Sequence, residues 1–214
     1  MKPREILLDA INKYLKDILL NDGFQFSETQ FTFKRKLENG FEQQIKFNGN
    51  LRNTENLIVK YGDQYMIYCS SYKNWWKKNF PDIGIIGAGF IDTNSDDLAK
   101  MNFNLRFGNQ YDFLKDSAEN IMKEIIENYT SHGKIHFERN SSWTKISEKA
   151  GSKFTQVDAL ILSNQIEKAQ LICNQIIDSL LEEYGDSTKM TASAKQHFDI
   201  FNSRLNYINR IASN

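Results

Sequence analysis

The sequence predicts an α+β fold: an antiparallel sheet of about five to seven strands with an N-terminal helix, followed by a C-terminal helical segment. Three observations predict it. Between residues 31 and 107 apolar and polar residues mostly alternate, the period of a strand with one buried face. Before residue 21 and after residue 112 apolar residues recur instead at spacings of three and four, the period of an amphipathic helix. Strands clustered early and helices clustered late favour an antiparallel sheet over a parallel one.

The first helix is predicted over residues 3–21, with Pro3 in its first turn, an apolar stripe of Leu7, Ile11, Tyr14, Leu15 and Ile18, and Gly23 where a C-terminal cap belongs. The segment FTFKRKLENGFEQQIKF is predicted to be a hairpin, and its register follows from its side chains. A two-residue Asn39-Gly40 turn would put the two apolar sets on opposite faces. A three-residue loop of Glu38, Asn39 and Gly40 pairs Leu37 with Phe41, Phe33 with Ile45 and Phe31 with Phe47, all on one face. Gly40 then takes the left-handed conformation, and Lys34, Lys36, Glu42, Gln44 and Lys46 line the wetter face. LIVKYGDQYMIYC is predicted as a second hairpin turning near Gly62-Asp63.

SSYKNWWKKNF is predicted as a short helix capped by Ser70 or Ser71 and ended by Pro81. Ile83 to Ile91 is a buried strand candidate, and Met101, Phe103, Leu105 and Phe107 mark a one-sided strand. A helix over 112–130 carries Leu114, Ala118, Ile121, Met122, Ile125 and Tyr129. The polar stretch 138–153 is the predicted boundary between an α+β domain, 1–145, and a helical segment, 150–214. Residues 154–184 form one helix or a pair broken near Ser163-Asn164, with a stripe of Ala169, Ile172, Ile176 and Leu180. The last helix, about 191–212, places Ala194, Phe198, Phe201, Leu205 and Ile208 on the seam of a packed pair.

Twenty-seven basic and 27 acidic side chains cancel, which argues against a protein held to nucleic acid through many phosphates. Cys69 and Cys173 match no zinc or redox spacing and are expected to be reduced structural thiols. No apolar run approaches the ~20 residues of a membrane helix, and no hydrophobic signal region opens the chain, so the cytoplasm is the expected compartment and no membrane partner is expected.

GIIGAGFID, from Gly84, begins like a dinucleotide-binding turn, but Asp92 stands where the third glycine belongs and would repel a pyrophosphate. DTNSDD resembles the front of a calcium loop, yet Asp97 and Phe103 occupy its required glycine and glutamate positions. As an acidic turn, Asp92, Asp96 and Asp97 are candidates to meet a basic partner. In SYKNWWKKNF, helical spacing places Tyr72, Trp75, Trp76 and Phe80 on one side and Lys73, Asn74, Lys77 and Lys78 on the other. The main reading is an apolar stripe packed on the sheet. The alternatives are a base-stacking surface for single-stranded nucleic acid and an aromatic anchor at Trp76 for a protein partner. His132 and His136 are four apart, but Gly133 lies between them where the preceding helix is expected to end, so no metal is predicted. GxSxG, P-loop and CxxC patterns are missing from the sequence, and no cofactor is expected.

The order of features is similar to that of small bacterial domains of unassigned function of the immunity or toxin-associated type. The residues carrying the resemblance are the helix ending in Gly23-Phe24, the hairpin FTFKRKLENGFEQQIKF, Trp75-Trp76 and IIENYTSHGKIHFERNSSW, together about residues 1–145. No functional residue carries over, and the resemblance implies a protein-binding role. Three functions therefore follow as expectations. The first is a non-enzymatic interaction module whose partner is another protein. The alternatives are an enzyme with a dispersed site and nucleic-acid binding through Trp75–Lys78.

Overall fold

The structure, a computed structural model, describes residues 1–81, 83, 89–91 and 110–213. Along the chain run α1 (Pro3–Ala10), a π-helical turn (Ile11–Leu15), α2 (Lys16–Asn21), β1 (Gln25–Ser27), β2 (Thr32–Lys36), β3 (Phe41–Gly49) and β4 (Lys60–Cys69). There follow α3 (Ser70–Asn79), β5 (Tyr111–Asp112), α4 (Ala118–Asn128), a second π turn (Tyr129–Gly133) and α5 (Lys134–Arg139). The remaining helices are α6 (Trp143–Lys149), α7 (Lys153–Leu162), α8 (Ile166–Tyr184) and α9 (Ala192–Ala212). The fold is α+β with a five-stranded sheet in the order β1-β2-β3-β4-β5, every neighbouring pair antiparallel.

The chain divides into two compact units, Met1–Cys69 with Ser95–Arg139, and Ser70–Asn94 with Asn140–Asn214. The later division falls inside the polar 138–153 stretch. Helix α3 departs from expectation by belonging with the C-terminal helices instead of the strands.

In the first unit the β2–β3 hairpin has the predicted register. Phe33 pairs with Ile45, the Leu37 N–H donates to the Phe41 carbonyl at 2.8 Å, and the Phe47 N–H donates to that of Phe31 at 2.9 Å. Gly40 has φ +84°, the left-handed conformation that closes the three-residue loop. Phe31, Phe33, Phe41, Ile45 and Phe47 are buried together. Arg35 and Gln43 extend this face as a polar pair. The Arg35 Nε and Nη2 donate to Gln43 Oε1 at 2.9 and 2.7 Å, and Gln43 Nε2 donates to the Phe137 carbonyl at 3.0 Å.

The second predicted hairpin is a correction. Residues 60–69 form one strand, with Gly62 opposite Asn48 and Asp63 opposite Phe47. The nine-residue β3 needs a partner of matching length, and the reversal comes earlier, in the Asn-rich stretch 50–58. The strand candidate at 83–91 lies mostly outside the described residues, and that at 101–107 lies wholly outside them.

The first helix corrects its own stripe. Leu7, Ile11, Leu15 and Leu19 are buried, whereas Ile18 is 40% exposed. A spacing of four sustained over three turns would rotate around an α-helix, but the wider turn at Ile11–Leu15 absorbs the drift. Ile121, Ile125, Tyr129, Gly133 and Phe137 repeat this spacing across the second π turn, and all five are buried. The helix therefore continues through Gly133, where the sequence predicted its end. It starts at Ala118 with Ser117 as N-cap, later than the expected 112. Gly23, at φ +83°, ends α2 as predicted: Phe24 N–H donates to the Leu19 carbonyl and Gly23 N–H to that of Leu20.

In the second unit the helix predicted over 154–184 is a broken pair. Asn164 (φ +61°) makes the same cap, with Gln165 N–H donating to the Leu160 carbonyl. The buried seam of α8 is Ala169, Cys173 and Ile177, one residue beyond the predicted stripe, and Ile172 and Ile176 flank it. Phe201 and Ile208 of α9 join this core with Val157, Leu160 and Ile161 of α7.

Gly133 gives the fold a test. A Cβ there would lie 2.6 Å from Tyr65 Cε1, on a buried ring, and 3.1 Å from Tyr129 Cδ2. Alanine would gain roughly 1 kcal/mol of helix propensity, but the overlap costs about 1–3 kcal/mol. Gly133→Ala should therefore lower the urea midpoint.

Candidate functional site

Among the described residues three places concentrate polar chemistry, and one of the three opens to solvent. The first, within the second unit, centres on Asp158 of α7. Its carboxylate accepts from Arg204 Nε at 2.7 Å and Nη2 at 2.9 Å, from the Tyr72 hydroxyl at 2.7 Å and from Trp76 Nε1 at 2.8 Å. Arg204 also donates to the Ile200 carbonyl and lies over the rings of Trp76 and Phe80, 4.7 and 4.9 Å from their centroids. The Asp158 and Arg204 side chains are wholly buried. Burial and the adjacent carboxylate push the Tyr72 hydroxyl far above the usual phenol range. Burial also pushes the Cys173 thiol up to about 12, which makes it inert as a nucleophile at neutral pH. This cluster ties α3, α7 and α9 together, and its four side chains are buried.

The second, within the first unit, centres on Asp63 of β4, which is 0% exposed. Burial pushes its carboxyl up to about 7. Its own backbone N–H and the Tyr65 hydroxyl pull it down, Glu124 pushes it up, and the Tyr111 hydroxyl pulls it down again. Neither carboxyl oxygen reaches a donor in full hydrogen-bond geometry, so the burial cost is offset only in part. The same burial, together with the Asp63 charge, raises the Tyr65 hydroxyl.

The third is the loop between β3 and β4, also in the first unit. Asn53 acts there as a surrogate strand residue: its Nδ2 donates to the Lys60 carbonyl at 2.7 Å and its Oδ1 accepts from the Lys60 N–H at 2.8 Å. Asn50 N–H donates to the same carbonyl, and Asn50 Oδ1 accepts from the Arg52 N–H at 2.9 Å. Thr54 and Ile58 exchange backbone hydrogen bonds at 2.8 and 3.0 Å, and Asn56 supplies a left-handed residue at φ +60°. The loop is fixed, yet it holds Leu51 at 104% and Leu57 at 75% exposure. At its base lies a pocket of about 300 Å3 bordered by Leu51, Arg52, Lys60 and Gly62.

Trp76, a candidate partner anchor, is 3% exposed and spends its N–H on Asp158 and the Tyr72 hydroxyl. A surface built on that ring would require the interior to open. The predicted faces of α3 are otherwise as observed: Tyr72, Trp76 and Phe80 are buried, while Asn74, Lys77 and Lys78 are exposed. The rings pack with α7 and α9, and Trp75 Nε1 donates to the Tyr207 hydroxyl at 3.2 Å. Asp92, Asp96 and Asp97 lie outside the described residues. His136 is buried beside Phe137, and His132 is half-buried one turn earlier. Among the described residues no three His, Cys, Asp or Glu side chains converge as metal ligands, and no helix is long and apolar enough to cross a membrane.

Sequence reasoning missed Asp63, Asp158, Arg204 and the loop. The first three are single charges inside apolar periodicity, indistinguishable by pattern from solvated ones. The loop had a usable signal: Asn48, Asn50, Asn53 and Asn56 in close succession, with Leu51 and Leu57 isolated among them. Compared with known proteins, the chain matches no family model, no curated protein and no solved structure.

Two predictions follow from the buried acids. Asp63 has a folded pKa of about 7 against 3.8 unfolded, so between those values the folded state binds the extra proton. The contribution of Asp63 to stability is then fully present below about pH 4 and is lost as pH rises through about 7, by on the order of 4 kcal/mol in total. Asp63→Asn should flatten this slope, read as the difference between variant and wild-type urea midpoints at pH 4.5, 6 and 7.5. Arg204→Met leaves the Asp158 charge buried without its counter-ion and should cost about 3–5 kcal/mol. A double variant with Asp158→Leu should lose less than the sum of the single losses in the same denaturation assay.

Proposed function

We propose that this protein is a protein-binding module, of the kind that neutralises a toxin or scaffolds a complex, and that it meets its partner through the β3–β4 loop. One observation carries the reading: Leu51 and Leu57 are held in water by a loop whose backbone is already fixed. A leucine moved from water into a partner's cleft gains about 1.5–3 kcal/mol. An ordered loop adds little entropy cost at that moment, which is what preorganisation means in binding. The resemblance of residues 1–145 to immunity-type domains supports the same role.

The other readings have less behind them. Lys77 and Lys78 are exposed, but the α3 rings that would stack on bases are engaged with α7 and α9. Asp63 has a pKa of the kind found in active sites, yet it is sealed from solvent.

The test is a pull-down under gentle lysis with wild type and with a variant carrying Leu51→Asp and Leu57→Asp. Both positions are exposed, so the variant's stability should stay within about 0.5 kcal/mol of wild type. Wild type should recover a stoichiometric partner, which the variant binds at least about tenfold more weakly. Equal recovery by both, or recovery of the chain alone, would refute the reading.

A further inference from the structure

The pocket under the β3–β4 loop has a chemistry that the exposed leucines do not explain. It is bordered by the side-chain amides of Asn48, Asn50 and Gln110, the cations of Arg52 and Lys60, and the backbone of Gly62. No carboxylate is among its described lining residues. Asp112 lies beside one of these cations, its Oδ2 3.8 Å from Lys60 Nζ, at the outer limit of an ion pair. It offsets one of the two positive charges only weakly.

The sheet places two of the lining residues together. Gly62 pairs with Asn48 across the β3–β4 ladder, and paired residues project to the same side of a sheet. Both border the pocket, and Gly62 brings no side chain to it. The loop explains the direction of the donors. Asn50 spends its Oδ1 on the Arg52 N–H, which turns its Nδ2 donors the other way. That same bond fixes the backbone from which the Arg52 side chain departs.

From this geometry we infer that the pocket receives an acidic side chain, Asp or Glu, of the protein partner, with Leu51 covering the ion pair from its rim. The inference rests on the reading of the chain as a protein-binding module. Two cations beside a few amide donors match one carboxylate, and guanidinium binds carboxylate through paired hydrogen bonds. A nucleic-acid backbone would call for a longer row of cations, without leucines among them. Leu51 lines the pocket and is fully exposed. Once covered by a partner it would keep water from the ion pair, as apolar rims do around binding hot spots.

The test uses the full chain, labelled for NMR, and two probe peptides: acetyl-Leu-Gly-Glu-Leu-amide and its counterpart with glutamine in place of glutamate. The acidic peptide should shift the backbone amide signals of Gly49, Lys60 and Gly62 and bind about tenfold more tightly than the glutamine form. Its affinity should fall as salt rises and fall at least about tenfold in Arg52→Gln, an exposed position whose change spares the fold. Equal binding of the two peptides, shifts confined to other residues, or indifference to Arg52→Gln would overturn the inference. The native complex separates the two failures. Loss with the leucine variant but not with Arg52→Gln plus Lys60→Gln would sink the acidic-side-chain inference and leave the module reading standing. Persistence with the leucine variant would sink both.

Discussion

A carboxylate taken out of water must find counter-charge and hydrogen bonds in the protein, and the second unit is organised by how Asp158 finds them. Its two oxygens accept from Arg204, Tyr72 and Trp76, on helices more than 40 residues apart in sequence from Asp158. Desolvating both ions costs several kcal/mol each, recovered only where geometry is good and the remaining donors are satisfied. The two Arg204 bonds are parallel and short, and aromatic rings face the guanidinium. Alternative packings of α3, α7 and α9 that separate these groups would strand a charge. The cluster thus selects one arrangement among several that the apolar residues alone would tolerate.

Asp63 answers the same constraint differently. The described groups acting on it are its own N–H, tyrosine hydroxyls and Glu124, with no cation among them, so taking up a proton removes the buried charge at less cost. The first unit therefore carries an acid that titrates near neutrality inside its sheet, whereas the second carries one held by an arginine. Their contrast shows why burial alone does not identify a site. Both acids are closed off, and what differs between them is the neighbour that balances the charge.

Much of the fold was legible because it rests on period and turn chemistry. The β2–β3 register could be derived from six apolar residues and one glycine, since a two-residue turn would have split them between faces. Gly23 and Asn164 marked helix ends because few other residues adopt the left-handed conformation of that cap. The misreadings share a cause as well. Gly62-Asp63 has the composition of a turn, but the length of β3 and the Asn-rich loop before it decide where the chain reverses. Ile18 sits on an ideal α-helical stripe, but the wider turn at Ile11–Leu15 passes its place to Leu19. The candidate site was the least legible part. Pairing of Asn53 with Lys60 depends on a loop conformation, and no periodicity encodes it.

The division between interior and surface bears directly on function. Within the described part of the second unit, the buried groups around Asp158 are committed: the Tyr72 hydroxyl donates to Asp158, the Cys173 thiol is held protonated, and the Trp76 N–H is spent. In the first unit Asp63 is sealed beneath the sheet. The β3–β4 loop is different because its backbone is satisfied internally while the Leu51 and Leu57 side chains stand in solvent. Asn53 and Asn50 close the backbone hydrogen bonds, so Leu51, Leu57 and Arg52 contribute nothing evident to holding the loop. Side chains that a loop does not need for its own stability can be set by what the loop must meet.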